Sequence, residues 1–127
     1  METKKGWIIM NYYIYIDDIR EDSRWFNTHL DGEIWTPFIA RNYEDAIDFL
    51  TQIRDSEAEV ILDLDHDLGE LEEMSGEPFN SLSGYDICKY IVEHHYPLVG
   101  FHIHSMNPAG AQNMRQILTH AGYEELF

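Results

Sequence analysis

Hydrophobic residues fall in short blocks along the chain, and the spacing inside each block identifies its element. Residues 12–16, YYIYI, are aromatic and β-branched without interruption and are stopped by Asp17 and Asp18, the pattern of a strand with acids at its carboxyl end. SRWFNTHL (23–30) reads as a helix and IWTPFIA (34–40) as a second strand; Pro37 lacks an N–H, which places that strand at a sheet edge. From 43 to 54, Ala46, Ile47, Leu50 and Ile53 recur at helical spacing behind Asn42, a suitable cap. EVILDL (59–64) is continuous and apolar except for Asp63, and its short length with Val60 and Ile61 favours a strand. Residues 66–82 hold Gly69, Gly76, Pro78 and four glutamates and read as a surface loop. A helix then opens at Ser83 or Gly84 and runs to about His95, and LVGFHIHS (98–105) gives a fourth strand. Asn107 and Pro108 start a last helix with Met114, Ile117, Leu118 and Ala121 on one stripe, ended by Gly122.

Strand and helix alternate throughout, which predicts an α/β fold: a mostly parallel sheet, covered on both faces and joined by right-handed crossovers. Ligands of such sheets bind beyond the carboxyl ends of the strands. Here the first, third and fourth strands end in DD, DHD and HS, so three polar clusters are expected at one rim.

The length of 127 residues suits a single domain over 1–127, with 1–10 as an extension that need not belong to the fold and Met10 as an alternative start. Apolar residues make up 44% of the chain and aromatics 13%, so a formal charge of −16 is carried by a folded body. The lone Cys88 excludes an internal disulfide and sits on a helix face turned to the core. With no apolar run of membrane-spanning length, a cytoplasmic protein is expected. Eight basic residues against twenty-four acidic ones exclude an extended nucleic-acid surface, although a cation could hold a phosphate-bearing ligand among the carboxylates. Oligomeric state is not legible.

Asp17, Asp18 and Asp65, at adjacent strand ends, together suit Mg²⁺, a hard ion that takes a few carboxylate oxygens and leaves positions for water and phosphate. His66 and His104 are candidate proton carriers on a phosphate ester, because imidazole titrates near neutral pH. His102 reads as a structural residue one pleat deeper, and a zinc site from His102, His104 and His66 ranks below Mg²⁺ because an H-x-H pair has no third ligand at diagnostic spacing. Ser105, the N–H groups after Asn107, and Arg115 could hold phosphate oxygens at the start of the last helix; simple capping by Asn107 is the plainer reading.

YIDDIR, LDHDLG, SGYDICKYI and HSMNPAGAQNM, in that order, resemble the cyclic-phosphate processing receiver domains, relatives of the receiver domains of two-component signalling. The resemblance implies a flavodoxin-like three-layer α/β/α sandwich with four strands or five in the order 2-1-3-4. It also implies Asp65 at the phosphoacceptor position, a metal contact from the backbone carbonyl of Asp67, and Ser105 at the hydroxyl position. The lysine that receivers carry after a fifth strand has no counterpart. The implied substrate is a phosphorylated small molecule, or a nucleotide or RNA end bearing a 2′,3′-cyclic phosphate. The competing class is a signalling module that acts by phosphorylation of Asp65 or by partner contacts, and a third reading is a metal-free adaptor whose acidic loop docks a basic partner. DLDHD also resembles the D-x-D motif of haloacid-dehalogenase-like phosphatases, but it follows the third strand instead of the first.

Overall fold

The structure, a computed structural model, describes residues 10–18, 35–68 and 82–126. The helix expected over 23–30, most of the glycine- and glutamate-rich loop and all but the last residue of the amino-terminal extension lie outside the described residues. Four parallel strands, β1 (Asn11–Ile16), β2 (Thr36–Ala40), β3 (Glu59–Leu64) and β4 (Gly100–Ile103), form one sheet in the order β2-β1-β3-β4. This is a receiver-like, flavodoxin-type α/β topology. Pro37 stands in the edge strand, where its missing N–H costs no ladder bond.

Three helices complete the described fold: α1 (Tyr43–Ile53), α2 (Gly84–Glu93) and α3 (Pro108–His120). Each starts on a side-chain cap. Asn42 accepts from the Asp45 N–H at 2.8 Å, Ser83 and Asp86 form a reciprocal capping box, and Asn107 accepts from the Gly110 N–H at 2.9 Å. After α1 a single 3₁₀ turn, Arg54–Ser56, passes into Glu57 at φ 61°, and this left-handed residue turns the chain into β3.

Alternation along the strands divides the sheet into two faces. Ile14 and Ile16, Leu62 and Leu64, and Phe101 and Ile103 point to the face where all three described helices add buried residues, among them Leu50, Ile91 and Met114. Cys88 is buried in this cluster, and burial pushes its thiol well above the usual range. The opposite face carries Tyr13, Tyr15 and Ile61, with Trp35 packed beside them. Asp63 also points to that face and is fully buried.

The fifth-strand position beside β4 is taken by residues 124–126. Phe101 donates its N–H to the Glu124 carbonyl at 2.9 Å, and the Leu126 N–H returns a bond to the Phe101 carbonyl at 2.8 Å, making one parallel bridge. Gly100 permits this approach: a β-carbon there would lie 2.4 Å from the Leu126 side chain.

Candidate functional site

Register builds the site. Ile16 pairs with Ala40 on one side and Leu64 on the other, and Leu64 pairs with Ile103, so the four strands end level. The next residue of each chain segment is Arg41, Asp17, Asp65 and His104, in sheet order. The ladder continues one step beyond the strands to hold them: the Asp17 N–H donates to the Ala40 carbonyl at 3.1 Å, the Asp65 N–H to Ile16 at 3.0 Å and the His104 N–H to Leu64 at 2.9 Å. Arg41 reaches back to donate to the Asp17 carbonyl at 3.3 Å.

Asp17, Asp65 and His104 therefore converge. One ligand atom from each lies within 4.8 Å of the others, close enough to share a cation. Asp17 is 1% exposed and Asp65 6%. Burial first, and then the charge of Asp17, raise the Asp65 carboxyl above the ordinary range, against which work His104 and the backbone N–H groups of Asp67 and His66. Two buried carboxylates that repel one another, with an imidazole as third donor, fit a divalent ion.

His104 lies between carboxylates. Its Nδ1 bonds Asp63 Oδ1 in a short contact, and its Nε2 is 3.1 Å from Asp17 Oδ2. Tyr15 stacks on the ring, with centroids 4.5 Å apart and planes 7° from parallel. Burial pulls the imidazole down, but hydrogen bonds and charge from Asp63, with help from Asp17 and Asp65, outweigh it and hold the group above its ordinary value. Asp63 is anchored in turn by the Tyr13 hydroxyl, which donates to Oδ2 at 2.5 Å. Burial and the Asp63 charge push that phenol far up, so it remains a donor.

His66 belongs to a neighbouring cluster. Its Nδ1 is 2.8 Å from Asp67 Oδ1, and the Asn107 amide donates to the same oxygen at 3.3 Å. The bond to His66 holds the Asp67 carboxyl below the ordinary range. Two glycines lock this loop. A β-carbon at Gly84 would meet the Asp65 carbonyl oxygen at 2.1 Å, and one at Gly110 would meet the His66 ring at 2.4 Å. The Gly84 N–H also donates to the His66 carbonyl at 2.8 Å.

The predicted site residues are thus divided. Asp17, Asp65 and His104 are brought together, so that His104, expected as a proton carrier, supplies the third ligand atom of a cluster that could hold a cation. Asp18 is half-buried beside Asp17 and is not one of the three clustered ligands. The side chain of Asp67 is turned to His66 and Asn107, so the carbonyl remains the atom through which it would reach a cation. Asn107 caps α3 with one side-chain atom and holds Asp67 with the other, and the Ser105 hydroxyl accepts from the Asn107 N–H at 3.0 Å while keeping its own proton to donate. Arg115 is placed elsewhere. It lies roughly 10 Å along α3 from Pro108, and its guanidinium forks onto Glu125 at 2.8 and 3.0 Å. His102, half-buried, pairs in register with Asp63.

Sequence reading missed Asp63, Tyr13, Tyr15 and Arg41. One signal was present: an aspartate in the middle of an apolar strand demands a buried partner.

Strand order and the acid-lined rim define this chain as a receiver-like α/β protein. The family model for the cyclic-phosphate processing receiver domain matches residues 12–120, and the chain belongs to that family. Searches of curated proteins and of solved structures returned no match. Among the described residues, no helix is long and apolar enough to cross a membrane.

Proposed function

We propose that the protein binds and processes a cyclic phosphate on a nucleotide or RNA end, with Asp17, Asp65 and His104 holding a divalent cation. The observation that carries this reading is the convergence of those three ligand atoms at the carboxyl rim of a domain from a cyclic-phosphate processing family. The ion, Mg²⁺ or, since His104 offers a nitrogen, a divalent metal that accepts imidazole such as Mn²⁺, would neutralise charge on the phosphate, which a chain of net charge −16 would otherwise repel.

The protein's own groups then have separate tasks. Asp67 holds Nδ1 of His66 and leaves Nε2 to exchange a proton with an ester oxygen. The Ser105 hydroxyl supplies a donor to a phosphate oxygen. His104, enclosed by carboxylates, acts as a ligand, which leaves proton transfer to His66. Incubation with 2′,3′-cyclic nucleotides and Mg²⁺ tests the reading. Turnover or binding that disappears in Asp65→Asn supports it, whereas a wild-type protein with neither refutes it.

The signalling reading, with Asp65 as a phosphoacceptor, is less well supported. Lys89, the one lysine among the described residues, is exposed on α2 and is not at the rim. Treatment with acetyl phosphate and intact-mass measurement separates the two, because a labile adduct lost in Asp65→Asn would favour signalling.

A further inference from the structure

The geometry assigns Asp63 as a positioning residue that fixes the His104 imidazole with Nδ1–H turned inward and Nε2 presented to Asp17 and Asp65, so that the third ligand of the cation site is preset before any ion binds. This rests on the cation reading above and says how the site is built.

Asp63 is the central residue of a chain of contacts that no packing requirement explains. It stands inside β3, fully buried, where a strand otherwise holds Val60, Ile61, Leu62 and Leu64. Burying a carboxylate costs several kcal/mol unless it is paired and fully hydrogen-bonded. Both of its oxygens are engaged: Oδ2 by the Tyr13 hydroxyl and Oδ1 by His104 Nδ1. The three residues come from β1, β3 and the end of β4, and all lie on the face away from the described helices. Tyr15, between Tyr13 and Asp17 on β1, closes the remaining freedom by stacking on the ring. Position along the chain, ring plane and ring flip are thereby all determined, and the nitrogen left to face the rim is Nε2, 3.1 Å from Asp17. A carboxylate behind a ligand histidine fixes ring orientation and raises its basicity as a donor, and losing such a partner typically costs 10- to 100-fold in metal affinity.

A merely structural role for the same network makes the opposite forecast, which permits a clean test. Removing Asp63 alone would strand the buried Tyr13 hydroxyl. The double variant Tyr13→Phe/Asp63→Leu removes the buried carboxylate together with the hydroxyl it would strand, and leaves His104 Nδ1 as the one group without its partner. The full chain is titrated with Mn²⁺ by calorimetry and its Tm is measured with chelator present, with Tyr13→Phe, which keeps the His104 bond, as a second variant. Expected are a tenfold or greater loss of Mn²⁺ affinity in the double variant, which has a lower Tm but still unfolds in one cooperative transition, and a smaller loss in Tyr13→Phe. Mn²⁺ affinity within twofold of wild type in the double variant overturns the proposal while leaving the cation reading intact. If wild type binds no Mn²⁺ or Mg²⁺, the cation reading falls, and NMR of the His104 ring decides the rest. A downfield, slowly exchanging Nδ1–H proton lost in the double variant supports positioning by Asp63, and its absence from wild type overturns it.

Discussion

A β-carbon added at Gly110 would lie 2.4 Å from Cγ of His66, so the histidine ring fills the space that any side chain at that point of α3 would need. The loop after β3 and the start of the last helix are thus in direct contact through an absent side chain. At Gly84 the approach is closer still, and there the neighbour is the backbone carbonyl of Asp65. A histidine ring can swing aside, but a backbone carbonyl next to a site residue cannot move alone. Gly84→Ala is therefore expected to destabilise by about 2–3 kcal/mol and Gly110→Ala by about 1 kcal/mol, since overpacking is partly offset by the better helix propensity of alanine. Urea unfolding measures both, and a Gly84→Ala protein as stable as wild type would contradict the packing.

Asp65→Asn should stabilise the cation-free protein while abolishing its response to divalent ions. The carboxyl is raised by burial and by Asp17, which means that its ionisation opposes folding. An increase of roughly 3 °C in Tm with chelator is expected, together with loss of any further increase on adding Mg²⁺. A lower Tm in the chelated variant would show that the carboxylate is a net stabiliser.

The pH dependence of stability in chelator follows from the same site. His104 is raised in the folded state, so its contribution is complete below the unfolded value of about 6.5 and is lost as pH rises through the folded value. Asp65 has the same sign, with stability present below the ordinary carboxylate range and lost as pH rises through its raised value. Asp67, which is lowered, has the opposite sign and loses its contribution as pH falls, but it is more than a third exposed and counts for less. Tm should therefore fall by a few degrees as pH rises above about 6.5, and His104→Gln should flatten that slope. An unchanged slope in the variant would remove His104 as its source.

Asn107 has two tasks that can be separated. Asn107→Ala removes the cap of α3 and should cost about 1 kcal/mol. Asn107→Asp keeps an acceptor for the Gly110 N–H but sets a second carboxylate against Asp67, 3.3 Å from the present amide nitrogen. The aspartate variant should retain most of the stability yet raise the pKa of Asp67, measured by NMR titration. Equal loss of stability in both variants would mean that the contact with Asp67, and not the cap, is what holds the helix.

Much of the fold was legible because it rests on local patterns. Continuous apolar runs marked β1 and β3, Asn42 and Asn107 announced their helices, and Pro37 located the edge strand. The boundaries of β4 shifted by two residues at each end, from the expected 98–105 to Gly100–Ile103, although single ladder bonds from Val99 and His104 continue beyond it. The start of a fifth strand at 124–126 carried no signal of its own, since a single bridge needs no apolar run.

Within the site the sequence alone determined that acids and histidines stand immediately after the first, third and fourth strands, because strand ends follow from local hydrophobic runs. Only the tertiary structure decided which of them meet. Level registers across β1, β3 and β4 unite Asp17, Asp65 and His104, and alternation sends Tyr13 and Asp63 to the same face, where they hold His104 from behind. Those contacts join residues 41 to 87 positions apart, and no spacing along a chain encodes the register that brings them together.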